Sequence, residues 1–151
     1  MKLLCDQMLG TLAKWLRIFG FDTYFAKCNI SDSELINISK KDGRILITRD
    51  KELIINARRE NVKHIEIKTT DIDEQIKKVL EKVNFSESKV LSRCILCNSE
   101  LVDIDKKDVS GKVPDRVFES NEKFFFCKTC IKIYWKGTHY ENMFEKVKSL
   151  R

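Results

Sequence analysis

Apolar and polar positions along the first half of the chain follow two periods that take turns. Lys2-Leu3-Leu4-Cys5 reads as a short buried strand, after which Leu9, Leu12, Ala13, Leu16 and Phe19 recur at helical spacing until Gly20 ends the pattern. Thr23-Tyr24-Phe25-Ala26 predicts a second strand. Ser31 with Glu34 has the form of a capping box, in which hydroxyl and carboxylate satisfy orphan amides reciprocally, and it opens a helix through Leu35, Ile36 and Ile38 to Asp42-Gly43. Arg44 to Thr48 is a third strand, and Leu53, Ile54 and Ala57 give helical spacing up to Glu60-Asn61. Val62 to Ile67 is a fourth strand. Asp71 with Glu74 then caps an amphipathic helix carrying Ile72, Ile76, Val79, Leu80 and Val83. Alternation of this kind predicts an α/β fold, a parallel sheet with helices on both faces.

Beyond Val83 the periods stop. Residues 84–89 are polar, and the remaining chain carries two cysteine pairs, turn residues and short apolar runs, before Met143, Phe144 and Val147 mark a short terminal helix over Tyr140 to Leu150. The expected division is a domain over 1–84 and a small unit over 90–151, which suits a chain of 151 residues. A hydrophobic content of 42%, one Pro and five Gly exclude a low-complexity or disordered chain. Asp6 and Lys14 interrupt the first apolar run and no small-residue cleavage site comes after it, so it is not read as a signal peptide. No stretch is long enough to span a bilayer. A reducing, cytoplasmic setting is therefore expected, in which Cys-x-x-Cys pairs bind metal rather than form disulfides. Charge is mildly basic and evenly spread: 16 Lys and Arg against 13 Asp and Glu over 1–84, and 13 against 10 over 85–151. This permits a nucleic-acid partner without requiring one.

Cys94-Ile95-Leu96-Cys97 and Cys127-Lys128-Thr129-Cys130 are separated by twenty-nine residues. Two residues between ligands let a tight turn aim both sulfurs at one tetrahedral ion, with Zn–S near ~2.3 Å, and the spacer supplies strands that bring the second turn opposite the first. Cys94, Cys97, Cys127 and Cys130 are thus the expected zinc ligands. Iron in a rubredoxin-like centre is the rival, since four thiolates suit it as well. A closed four-thiolate site leaves no open coordination position and is structural. Cys5 falls in the first strand, and Cys28 stands alone.

Acids collect where a parallel sheet binds ligands, at the carboxyl ends of its strands. Asp6 follows the first strand, Asp50 the third and Asp71 the fourth, while Asp32 and Glu34 open the helix after the second. Taken singly, each has an ordinary reading as a helix cap. Asp6 fits that reading least, because it directly ends a buried strand. Taken together, converging carboxylates suit Mg²⁺ or Mn²⁺, which polarise a phosphoryl group and lower the pKa of bound water. Arg17 and Arg49 are candidate phosphate contacts beside them, with ordinary surface or helix-end cations as the alternative.

Asp6, Met8-Leu9-Gly10, Leu12-Ala13, Trp15-Leu16-Arg17, Gly20 and Asp22 resemble the opening motif of the Mut-seven C-terminal ribonuclease domain family, a PIN-like nuclease fold followed by a zinc ribbon. Gly43-Arg44, Thr48-Arg49-Asp50, Gln75 and Tyr134-Trp135-Lys136-Gly137 with His139-Tyr140 continue the resemblance over nearly the whole chain. Ile95 departs from the Pro, and Ile131 from the Gly, that related knuckles often carry. The resemblance implies metal-dependent RNA cleavage using Asp6, Asp50 and Asp32, with Asp71 or Asp73 as a further acid. Glu52, close to Asp50 in sequence, points elsewhere on a regular helix.

Phe124-Phe125-Phe126, Tyr134, Trp135, Lys136, His139 and Tyr140 interleave aromatic and basic groups, which is how single-stranded RNA is often held. Phe125 and Trp135 are expected in a small core around zinc, and Lys136, His139 and Tyr140 as RNA contacts. His64, inside a strand, is expected to be structural. The reading is a ribonuclease using Mg²⁺ or Mn²⁺; the alternatives are a non-catalytic RNA-binding adaptor and a rubredoxin-like electron carrier.

Overall fold

The computed structural model describes residues 1–27 and 29–150; Cys28 and Arg151 lie outside the described residues, as do the side chains of Val147 and Leu150. Strand β1 (Lys2–Cys5) leads through a 3₁₀ turn (Gln7–Leu9) into helix α1 (Gly10–Ile18). Then come β2 (Asp22–Phe25), α2 (Asp32–Asp42), β3 (Arg44–Thr48), α3 (Lys51–Arg59), β4 (His64–Glu66) and α4 (Ile72–Leu80). The four strands form one parallel sheet in the order β2-β1-β3-β4. The expected alternation is therefore present, with β4 shorter than its apolar run.

Side chains leave alternate sides of a strand, and the sheet buries both sides. Leu3, Cys5 and Ile47 face one core with α1 and α4, while Leu4 and Leu46 face the other, with Leu35, Ile36, Leu53 and Ala57 from α2 and α3. Local chemistry fixes the helix starts: Ser31 accepts from the Glu34 amide, Asp50 from the Glu52 and Leu53 amides, and Asp71 from the Glu74 amide. Gly43 ends α2 at φ +65°, a left-handed conformation that glycine adopts without strain.

The remaining chain builds a three-stranded antiparallel sheet, β5 (Val102–Ile104), β6 (Phe124–Cys127) and β7 (Lys132–Tyr134), in the order β5-β6-β7. A short helix, α5 (Asp115–Ser120), lies between β5 and β6 and has no counterpart in the sequence pattern. Helix α6 (Thr138–Leu150) then returns to the first sheet, placing Met143 and Phe144 against the core of α1 and α4. Phe85 packs edge-on against Phe19 and also meets Phe144. The chain near residue 90 is stitched to α1: the Leu91 amide donates to the Ile18 carbonyl at 2.8 Å. At Gly20 (φ +92°) a Cβ would lie 2.2 Å from the Lys89 carbonyl oxygen. Only glycine fits that approach.

Candidate functional site

In the order β2-β1-β3-β4, the connection from β1 runs to one side and that from β3 to the other, so the switch point lies between these two strands. Open parallel sheets bind ligands in the crevice there. Asp6 follows β1, and Thr48-Arg49-Asp50 close β3 and lead into α3, at this point.

Asp6 is buried, with 5% of its surface exposed. Its Oδ1 accepts from the Met8 amide at 3.1 Å, and its Oδ2 accepts a short hydrogen bond from the Thr48 hydroxyl. Thr48 Oγ1 in turn accepts from the Asp50 amide at 3.0 Å. Because that acceptance occupies a lone pair, the hydroxyl proton is directed at Asp6, and Thr48 ties the two loops together. Burial raises the Asp6 pKa above the usual carboxylate range; Thr48 and Met8 oppose the rise, and the charges of Asp50 and Asp32 add to it. Asp50 is exposed, and its Oδ1 caps α3. Asp32 sits half-buried in the first turn of α2, lining a cavity of about 290 Å³ between α2 and α3 with Arg59 and Asn56.

Asp50 and Asp32 thus bear electrostatically on Asp6, but the three form no closed cage. Among the described residues, four cysteines are the only group of three or more Cys, His, Asp or Glu with ligand atoms all within 4.8 Å of one another. Asp71 caps α4 through Oδ1 and lies on the side of α6, where it and Asp73 raise the Lys146 pKa, Asp73 first through its 2.8 Å ion pair.

Of the basic candidates, Arg49 stands beside the acids: its Nε is buried with no partner among the described residues, and it lines a cavity of about 340 Å³ with Met8, Thr11, Thr70 and Gln75. Arg17, expected at a phosphate, is placed elsewhere. Its side chain is buried in the seam, where Nε donates to the Thr23 carbonyl at 2.9 Å and Nη1 to the carbonyls of Ile95 and Leu96 at 2.8 and 3.3 Å. Desolvation lowers its pKa, opposed by the negative charge of the Cys94 and Cys97 thiolates and of Asp22. His139 lies with its ring centroid 5.2 Å from that of Trp15. Tyr140 stacks on Phe144, and burial, then Glu87 and Glu141, push its pKa up to about 12. Lys136 is exposed. His139 and Tyr140 thus take part in packing α6, and His139 stays exposed. His64 Nδ1 lies 2.9 Å from the Val62 carbonyl oxygen.

Cys94 and Cys130 sulfurs are 3.9 Å apart, and those of Cys97 and Cys127 are 3.5 Å apart. A Zn–S bond of ~2.3 Å gives a tetrahedron edge of about 3.8 Å, so the four sulfurs fit one ion, whereas a disulfide needs about 2.05 Å. The site can hold a metal such as zinc. Each knuckle closes with an amide on its first sulfur, from Leu96 to Cys94 at 3.4 Å and from Cys130 to Cys127 at 3.3 Å. The residue after each knuckle is left-handed, Asn98 at φ +70° and Ile131 at φ +54°. For a β-branched residue that conformation is strained, and glycine's absence at 131 is the reason. The Tyr134 hydroxyl lies 3.0 Å from Cys94 Sγ and accepts from the Ile95 amide at 3.3 Å, which directs its proton to the sulfur. Phe125 packs on this small core, and Trp135 meets Phe124 edge-on.

Three features here escape the sequence: Thr48 as the link between two acids, Tyr134 as a donor to a ligand sulfur, and Asn98. The last accepts from the Thr23 amide at 3.0 Å and donates to Asp22 Oδ1 at 2.7 Å, while Arg44 holds the same Asp22 oxygen at 2.9 Å. Asn after a Cys-x-x-Cys pair, in the place of the expected left-handed residue, is the one signal that marks it.

The family model of the Mut7-C RNAse domain matches residues 1–147, nearly the whole chain. No curated protein and no solved structure matches it at a significant level.

Proposed function

Starting from a chain that belongs to the Mut7-C RNAse domain family, we propose that it is a metal-dependent ribonuclease with a PIN-like catalytic sheet, acting on single-stranded RNA at the β1/β3 switch point. The observation that carries this reading is Asp6: a carboxylate buried at the sheet's ligand-binding edge, fixed by Thr48, and bearing the like charges of Asp50 and Asp32. Burying such a charge is unfavourable, the Thr48 and Met8 hydrogen bonds offset only part of that cost, and a cation would offset more.

Mg²⁺ and Mn²⁺ suit this donor set. Mg²⁺ takes one or two carboxylates and keeps its other positions for water and substrate phosphate, so acids that form no closed cage still fit it. Asp6 and Asp50 would hold it, with Asp32 nearby, and it would supply an activated water and charge neutralisation at phosphorus. Asp71, capped to α4 beside Asp73 and Lys146, is the outlying member of the proposed set. Thr48 keeps the Asp6 carboxylate in one orientation and holds the Asp50 loop at a fixed distance. Arg49, whose side chain lines the cavity beside the Asp6 loop, would meet a phosphate oxygen there. The four cysteines hold zinc as a structural ion, and Lys136 is a proposed outer contact for RNA.

The test is Mn²⁺-dependent cleavage of labelled single-stranded RNA. Asn caps helices as well as Asp does, so Asp50→Asn keeps the start of α3 while removing the charge. Asp6→Asn and Asp50→Asn should each lower the rate by more than about 100-fold, the loss expected when a metal site is disabled, at unchanged fold. Wild-type rates in both variants would refute the site. RNA binding without cleavage at any metal concentration would favour the adaptor, and iron in the purified protein the electron carrier.

A further inference from the structure

Strand β4 is an edge strand, and α3 and α4 flank it to leave a cleft of about 630 Å³. Arg58 from α3, Lys68 after β4, and Lys77, Lys78 and Lys82 along α4 line it, against Glu66, Glu74 and Glu81. A second hollow shares His64, Ile65 and Lys82 and prolongs the cleft past Lys63 and Asn61. Among the described residues none of those five Lys and Arg side chains makes an ion pair, although glutamates at helical i, i+4 spacing are at hand. Five cations against three carboxylates leave the lining net positive, and that excess is available to an anionic partner.

The cleft also leads somewhere. Its end at Thr69 adjoins Thr70, where the cavity of Arg49, Met8 and Gln75 begins, and that cavity borders the loop of Asp6. A chain passing the acids over Arg49 would turn at Thr69-Thr70 and run beside β4. Residues 63–69 span about 20 Å when extended, at roughly 3.3 Å each, which is room for several nucleotides.

We propose that single-stranded RNA leaving the acidic crevice is held along the open flank of β4, with its phosphates on Lys68, Lys78 and Lys82. This rests on the ribonuclease reading for the identity of the polyanion. An extended peptide adding a strand to β4 is the competing occupant, but it would use main-chain groups and gain little from five unpaired cations. A basic groove that tracks the backbone supplies the electrostatic part of sequence-independent single-strand binding.

The experiment uses the full chain and a fluorescein-labelled oligouridine of about twelve nucleotides, followed by anisotropy without added divalent metal. Lys68→Ala/Lys78→Ala/Lys82→Ala removes three exposed side chains. It should weaken binding about 10-fold at physiological salt and lower the slope of log K against log salt by about 2, from ~0.7 per phosphate contact on a single strand. The corresponding triple Arg variant should restore both. If the wild type binds and cleaves RNA but the Ala variant keeps its affinity and salt slope, the track is wrong and the ribonuclease reading stands. If the wild type binds the oligouridine as described without cleaving it, the reverse holds. If it neither binds RNA nor, with Mn²⁺ added, cleaves it, both fall.

Discussion

Replacing Asn98 by alanine cuts the tie between the metal knuckle and the parallel sheet at one residue. The Thr23 amide, in a fully buried residue, loses its acceptor, which costs about 1–3 kcal/mol for an unsatisfied donor. Asp22 loses the Nδ2 donor but keeps Arg44, a further loss of about 1 kcal/mol. Alanine at φ +70° adds roughly 1 kcal/mol of left-handed strain that asparagine largely avoids. The sum, about 3–5 kcal/mol, is a large part of a typical domain's ~5–15 kcal/mol, and at ~2–4 °C per kcal/mol it should lower Tm by about 10 °C. Asn98→Gly loses the same hydrogen bonds but not the strain, so it should recover about 1 kcal/mol relative to Asn98→Ala.

Urea unfolding of metal-loaded protein, read by fluorescence, checks this, because the two tryptophans report different places. Trp15 lies in α1, and Trp135 follows β7. Single-tryptophan variants of the wild type should give coincident transitions, as one cooperative unit does, and Asn98→Ala should separate them. A Tm within about 2 °C of wild type, with transitions still coincident, would refute the reasoning and leave the other seam contacts to hold the halves together.

The same contacts set further expectations. Gly20→Ala should cost more than about 2 kcal/mol, from strain and from the clash with the Lys89 carbonyl, and denaturant midpoints measure it. Ile131→Gly should stabilise by about 1 kcal/mol, since the exposed isoleucine loses strain and little burial; a lower Tm would contradict the strain. Hydrogen bonds from Asn98 and Arg44 outweigh desolvation and depress the Asp22 pKa, so its contribution is present above ~3.9 and fades as pH falls through the depressed value; Asn98→Ala should shrink that acid-side loss in a pH series. Asp6 has the opposite sign: its raised pKa means its ionisation removes stability as pH rises through the window above ~3.9, so Asp6→Asn should raise Tm at neutral pH, and Mn²⁺ should stabilise the wild type but not the variant. Chelation or Cys127→Ser should release the amide protection of β5 to β7, which hydrogen exchange would show.

What the sequence discloses and what it conceals divide by range. Strand and helix periods, the Ser31, Asp50 and Asp71 caps and the cysteine spacing are set within a few residues, and the structure has each of them where local chemistry puts it. The seam depends on partners more than seventy residues apart, as between Arg17 and Ile95 or Thr23 and Asn98. One sign was still visible: Arg17 falls on the apolar stripe of Leu9, Ala13 and Leu16, and a cation there must find buried acceptors. Helix α5 carries no buried residue, so no apolar period announces it. The acids were each readable as caps, and that reading holds for Asp50, Asp71 and, at the 3₁₀ turn, Asp6; the burial of Asp6 came only with the β1–β3 pairing that places Thr48 over it.

Helix α6 is the last element in the chain, yet it covers a stripe on the first ones, with Met143 and Phe144 against the side chains of α1 and α4. During synthesis the opening sheet therefore leaves the ribosome with part of its apolar surface bare, and it stays so until β5 to β7 have also been made. At ~5–20 residues per second that is a wait of several seconds. Premature termination anywhere in the second half would leave the sheet with the stripe that Met143 and Phe144 cover open to association.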